Sequence, residues 1–141
     1  MRDLRELLAA NDSFYKAFEA ADPGRMDDVW AQTPDDVCIH PGGEVTRGAI
    51  NVANSWRRLF ASGERLRFAL GDLHAEVYGD VGVVHAIENI KVGMTNEIVG
   101  RAAATNLYRR IDGRWRLVLH HGSPVGGSPE EILVTPGEIE N

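Results

Sequence analysis

The hydrophobic period of this chain changes near Arg65 from helical to alternating, and that change divides what its two halves can become. Before it, Leu4, Leu7, Leu8, Phe14, Tyr15 and Phe18 fall on one stripe, which predicts an amphipathic helix over about 3–20 that covers a sheet. Asp22-Pro23 reads as an N-cap with proline at the first helical position, opening a short helix that turns Met26, Val29 and Trp30 inward. A strand is expected from Asp36 to His40, broken by Pro41-Gly42-Gly43. A third helix follows from about Gly48 to Ala61, with Ala49, Val52, Ala53, Trp56, Leu59 and Phe60 on one face.

After Arg65, Leu66, Phe68 and Leu70 alternate with polar or small residues, and segments near 82–92, 97–110 and 114–122 follow the same pattern. Four long strands joined by hairpins result. The turn at Gly79-Asp80 pairs Val77 with Gly82, Ala75 with Val84 and Leu73 with Ala86, but Leu66, Phe68 and Leu70 have the opposite parity. A bulge near Gly71-Asp72 reconciles the two halves of the strand and bends it. The fold class is therefore α+β, with three N-terminal helices packed on the concave face of a strongly curved, mainly antiparallel sheet. Residues 1–125 form a single domain, and 126–141, rich in proline and glycine, read as an extended tail.

Asp112-Gly113 is the strongest hairpin signal in the chain, and it sets Tyr108, Asn106 and Ala104 opposite Leu117, Leu119 and His121. The adjacent His120 and His121 must then face opposite sides. In this register His121 points inward beside Asn106, and His120 points outward. Gly82, Val84 and Ala86 are small or apolar and face the helices, so Glu88 faces the same hollow by parity. Desolvation raises the pKa of a carboxylate in such a place unless a cation meets it. The candidate catalytic pair is thus His121 and Glu88, a proton shuttle, with Asn106 and Tyr108 as orienting donors. Cys38 and His40 share a face at the mouth of the hollow, and Trp56 forms its wall. These three complete the expected substrate-binding set. A lone cysteine between Val37 and Ile39 reads as a small buried hydrophobe rather than a nucleophile. The plainer alternative is that Glu88 satisfies His121 or Arg101 in a purely structural network.

Five histidines raise the question of a metal. His74 falls opposite His85, on the face away from Glu88, but no carboxylate or cysteine lies naturally beside them, so no metal is expected. That outer face also carries Val83, Ile87 and Val118, and an apolar sheet face is usually covered, which predicts a homodimer. A net charge of −6 over 141 residues argues against nucleic-acid binding. One cysteine, no membrane-length apolar run and no signal-like N-terminus point to a cytoplasmic protein with no membrane partner.

Taken in order, several motifs resemble the SnoaL-like branch of the nuclear transport factor 2-like superfamily. They are the Phe14/Phe18 helix, Cys38-Ile39-His40-Pro41-Gly42, Ser55-Trp56 with Leu59-Phe60, Glu88-Asn89, Asn106 with Tyr108, and Gly113-Arg114-Trp115 running into His120-His121-Gly122-Ser123-Pro124-Val125. The resemblance implies a cystatin-like, cone-shaped α+β barrel with a pocket between helices and sheet, often paired through the outer sheet face. Members include ketosteroid isomerases, polyketide cyclases, dehydratases and epoxide hydrolases, beside members without known catalysis, so fold alone does not fix function. The isomerases and cyclases use an aspartate base, and no aspartate of this chain aligns to it; Glu88 is the nearest pocket carboxylate. The expected function is cofactor-independent acid–base chemistry on a small apolar carbonyl or polyketide-like compound. The alternative is a non-catalytic ligand-binding or dimerisation module.

Overall fold

A computed structural model describes residues 2–126, so the expected tail lies, beyond Gly126, outside the described residues. Helix α1 (Arg2–Ala20) ends where Ala21 takes a left-handed backbone, φ 51°. Helix α2 (Pro23–Val29) is capped as expected: the Asp22 carboxylate accepts from the backbone N–H groups of Gly24 and Arg25 at 3.0 and 3.2 Å. Two short strands, β1 (Val37–Ile39) and β2 (Thr46–Arg47), precede helix α3 (Ala49–Ala61). Strands β3 (Leu66–Tyr78), β4 (Val81–Val92), β5 (Ile98–Ile111) and β6 (Arg114–Pro124) form the meander. Strand β2, only two residues long, has no periodicity to betray it in the sequence.

The strands form one open six-stranded sheet in the order β2-β1-β6-β5-β4-β3. It is antiparallel throughout except between β1 and β6, which run parallel and bring Cys38 beside His120. Alternation sorts the faces cleanly. Val84, Ala86, Glu88, Ala102, Ala104, Asn106 and Tyr108 are buried under the helices, while His85, Ala103, Thr105 and Arg109 between them are exposed.

Two bulges tune this pattern. In β3, Asp72 (φ 49°) and Leu73 together stand against Ala86, so the inward set changes from Leu66, Phe68 and Leu70 to Ala75 and Val77, as the parity conflict predicts. Leu73 itself is therefore left exposed rather than paired with Ala86. The second bulge was not anticipated. Asp112 (φ 51°) and Gly113 (φ 79°) make the expected tight turn, and Tyr108 does pair with Leu117, but Leu107 then pairs with Leu119 and Val118 is left over. Every residue beyond Val118 changes face. His120, not His121, pairs with Asn106 and is buried, and His121 is exposed opposite Thr105. The expected orientation of both histidines is corrected by this one extra residue.

α1 lies on the sheet through Leu7, Asn11, Phe14, Tyr15, Ala17 and Phe18. Gly82 allows the approach, since a Cβ there would stand 2.6 Å from Leu7 Cδ1. Gly82→Val should therefore lower unfolding free energy in urea by about 1–3 kcal/mol, the cost of overpacking a closed core. A Leu7→Ala background should remove most of that additional loss, and additive effects of the two changes would refute the contact.

Candidate functional site

A helix that covers a sheet face bearing Glu88, Asn106 and Tyr108 must return hydrogen bonds to them, since unpaired buried polar groups are costly. α1 does so from two positions one turn apart. The Tyr15 hydroxyl donates to Glu88 Oε2 at 2.6 Å. Asn11 Oδ1 accepts from the Tyr108 hydroxyl at 2.8 Å and from Asn106 Nδ2 at 2.9 Å. Asn106 Nδ2 also approaches the Tyr15 hydroxyl at 3.4 Å, and Asn106 Oδ1 lies 2.6 Å from His120 Nδ1. With its Nδ2 spent on oxygens, Asn106 presents an acceptor to His120, which places the imidazole proton on Nδ1. One continuous buried network thus runs from Glu88 through Tyr15 and Asn106 to His120, with Asn11 and Tyr108 as a branch.

Aromatic rings enclose it. Phe14 packs 4.9 Å from His120 and 5.6 Å from Trp56 between ring centroids. Phe68 packs 5.4 Å from Tyr15 and 4.5 Å from Phe18. The apolar surroundings set the electrostatics. Burial pushes the Glu88 carboxyl up to about 7, only partly opposed by the Tyr15 hydrogen bond. Burial lowers His120 to about 3, with further lowering from His40 and His121. Both phenols, Tyr15 and Tyr108, are raised well above the usual tyrosine range by desolvation, and Glu88 adds to the rise at Tyr15. Arg101, a conceivable partner for Glu88, instead donates through Nε to Asn89 Oδ1 at 2.7 Å.

Of the residues singled out from sequence, Glu88, Asn106 and Tyr108 stand in this network. His40 and Trp56 border it: their rings are 4.7 Å apart, and they lie 6.3 and 5.9 Å from His120. His40 is lowered by burial and by the Arg58 charge. Cys38 is buried with Sγ 3.6 Å from His40 Nε2, and desolvation lifts its thiol to about 12, which leaves no nucleophile at neutral pH. His121 does not join the site. Sequence reasoning missed Tyr15, Asn11 and the inward role of His120. A signal for Asn11 existed, because it interrupts an otherwise apolar stripe at a core position.

The wider clefts lie elsewhere. One of about 440 Å³ is lined by α1, α2 and Trp115, away from the network. Another of about 370 Å³, lined by Phe18, Leu59, Phe60 and Leu66, opens against the aromatic shell itself. Trp56 Nε1 is buried without a hydrogen-bond partner among the described residues. Those residues contain no cluster of three or more groups able to hold a metal ion, and no helix long and apolar enough to cross a membrane.

Three N-terminal helices with one six-stranded, mainly antiparallel sheet make the α+β architecture of the cystatin-like, nuclear transport factor 2-like class. Within that class the chain belongs to the SnoaL-like domain family, which matches residues 7–126. It is similar to a Streptomyces avermitilis structure provisionally called a dehydratase of the nuclear transport factor 2-like family, at 33% identity over 89% of this chain and 98% of that one, TM-score 0.81. It is also similar to a Thiobacillus denitrificans structure provisionally called a calcium/calmodulin-dependent protein kinase type II association domain, at 36% identity over 84% of this chain and 94% of that one, TM-score 0.78. Among curated proteins it resembles F-box protein SKIP8 of Arabidopsis thaliana, 23% identical over 92% of this chain, which spans 54% of that protein's length.

The opposed shifts of Glu88 and His120 give a sign test. A raised carboxyl means the fold holds a proton that the unfolded chain releases, so the Glu88 contribution is full below about pH 4.5 and is lost as pH rises through about 7. A lowered imidazole means the unfolded chain binds a proton that the fold refuses, so the His120 contribution is present above about pH 6.5 and is lost as pH falls toward about 3. Relative to wild type, Glu88→Gln should gain about 1–3 kcal/mol of stability on moving from pH 4.5 to pH 7, and His120→Asn should gain a comparable amount on moving from pH 6.5 to pH 4. Urea titrations at several pH values check this, and parallel curves for all three proteins would contradict it.

Proposed function

We propose that this protein is a cofactor-independent acid–base enzyme acting on a small apolar carbonyl compound, with Glu88 as the group that moves the proton. The reading is carried by one observation: a fully buried carboxyl whose described partner is a phenol rather than a cation, and whose pKa is brought to about 7 by burial. A proton carrier works best when its pKa lies near the working pH. The dehydratase designation of the 33% identical relative agrees in kind.

In this scheme the Glu88 carboxylate takes the proton α to a carbonyl, and the β C–O bond breaks as the double bond forms. The resulting Glu88 carboxylic acid then returns the proton to the departing hydroxide as water, so no oxidant or reductant is required. Tyr15 holds Glu88 in place, and Trp56 Nε1, a buried donor without a partner, is suited to a substrate oxygen. His120 remains neutral and, tethered through Nδ1 to Asn106, serves as an orienting group rather than an acid. The apolar cleft at Phe18, Phe60 and Leu66 is the entrance, with the Phe68 ring between it and Tyr15.

The test is solvent-deuterium incorporation at the α carbon of simple cyclic ketones and β-hydroxyketones, followed by NMR. Wild type should exchange above background, Glu88→Gln should lose about 10²–10⁴ of that rate, and His121→Gln should keep it. Saturable ketone binding with no exchange in wild type would overturn catalysis and favour the ligand-binding module.

The same family likeness supports self-association. Val83, Ile87, Leu107 and Leu119 are half-buried on the outer sheet face, where His74, His85, Thr105 and His121 form a row across four strands. We propose a homodimer through this face. Light scattering should give twice the chain mass for wild type and the single chain mass for Ile87→Asp combined with Leu107→Asp, with unchanged far-UV circular dichroism; a monomeric wild type at micromolar concentration would refute it.

A further inference from the structure

One cleft departs from the charge balance of the rest of the chain. It holds about 690 Å³ where the second half of α1 and the start of α2 meet the beginning of β3 and the turn after β4, and its walls include Lys16, Glu19, Arg25, Arg65, Arg67 and Met94. In a protein of net charge −6, four cations and one carboxylate share this volume.

The partners of these groups show which charges are free. Lys16 is paired with Asp12 at 2.9 Å. Glu19 Oε2 accepts from the backbone N–H of Phe68 at 2.7 Å, which ties the carboxylate to the edge strand and leaves it the cleft's single negative charge. Arg67 donates through Nε to the Gly93 carbonyl at 2.8 Å and through Nη2 to the Thr95 carbonyl, contacts that orient the guanidinium without cancelling its charge. Among the described residues, the guanidinium groups of Arg25 and Arg65 have neither an ion pair nor a hydrogen bond. Like charges gathered at one concavity repel each other, and an anion placed among them relieves that repulsion while satisfying their donors.

We propose that this cleft binds a phosphate-bearing small molecule, with Arg25, Arg65 and Arg67 on the phosphate oxygens and the exposed side chain of Met94 against the apolar remainder. Planar guanidinium forks match phosphate oxygens in pairs. Three such forks offer more donors than a single carboxylate can accept, which favours a phosphate or diphosphate group over a simple carboxylic acid. The volume suits one small molecule rather than a polymer. The site shares no residue with the Glu88 network, so it stands or falls independently of the acid–base reading.

Inorganic pyrophosphate serves as the probe, titrated into the full chain by calorimetry and followed through the arginine Nε–H resonances at about 0.15 M salt, where non-specific surface attraction is screened. Saturable binding is expected, with shifts at Arg25, Arg65 and Arg67. Arg25→Gln combined with Arg65→Gln, both exposed positions, should weaken it about tenfold or more. Arg47→Gln, an exposed arginine on β2 outside the cleft, should leave it unchanged. Absence of saturation, or equal weakening by Arg47→Gln, would overturn the proposal.

Discussion

The fold depends on α1 answering a polar sheet face. Four inner-face groups, Glu88, Asn106, Tyr108 and His120, cannot be covered by an apolar helix without leaving donors and acceptors unmade, each at a cost of about 1–3 kcal/mol. Asn11 and Tyr15 sit one turn apart on α1 and reach the first three, Asn106 carries the contact on to His120, and Leu7, one turn earlier, settles over Gly82. Three positions at four-residue spacing thus fix how far along the sheet the helix lies. Sliding α1 by a turn would bring Leu7 against Tyr108 or Tyr15 away from Glu88, breaking steric and polar matches together.

Much of this was legible in the sequence because it rests on period and turn chemistry. The change of period at Arg65 divided helices from strands, the parity conflict between Leu70 and Ala75 called for a bulge, and Asp112-Gly113 fixed the last hairpin as far as Leu117. The bulge at Val118 was not legible. Val118 lies in an unbroken strand pattern with no glycine or asparagine to mark an irregular backbone, and its neighbours pair well on either side. Since side chains alternate, that single residue exchanges His120 and His121 and with them one member of the site. Tyr15 escaped for a different reason: its ring belongs to the apolar stripe, and only its hydroxyl, 73 positions from Glu88 along the chain, belongs to the network.

The network's electrostatics follow from the same burial. His120 is driven toward its neutral form, and so are Tyr15 and Tyr108, which removes them from acid–base exchange near neutrality. Glu88 is shifted in the same sense but starts so low that it stops at about 7. A uniform desolvation therefore yields a non-uniform result, leaving one group that changes protonation in the physiological range among neighbours that serve as fixed donors and acceptors. No designed contrast between sites is needed for this division of labour.

Strand alternation also keeps the two faces of the sheet separable. Val84, Ala86 and Glu88 turn inward while Val83, His85 and Ile87 between them turn outward, so substitutions that alter the enclosed chemistry leave the outer surface intact and the reverse. The separation has one weak point. At Val118 both faces of β6 are set by the same unpaired residue: drawing it into regular pairing with Leu107 would set His120 outward against Thr105 and His121 inward against Ala104, changing the interior and the exterior in one step.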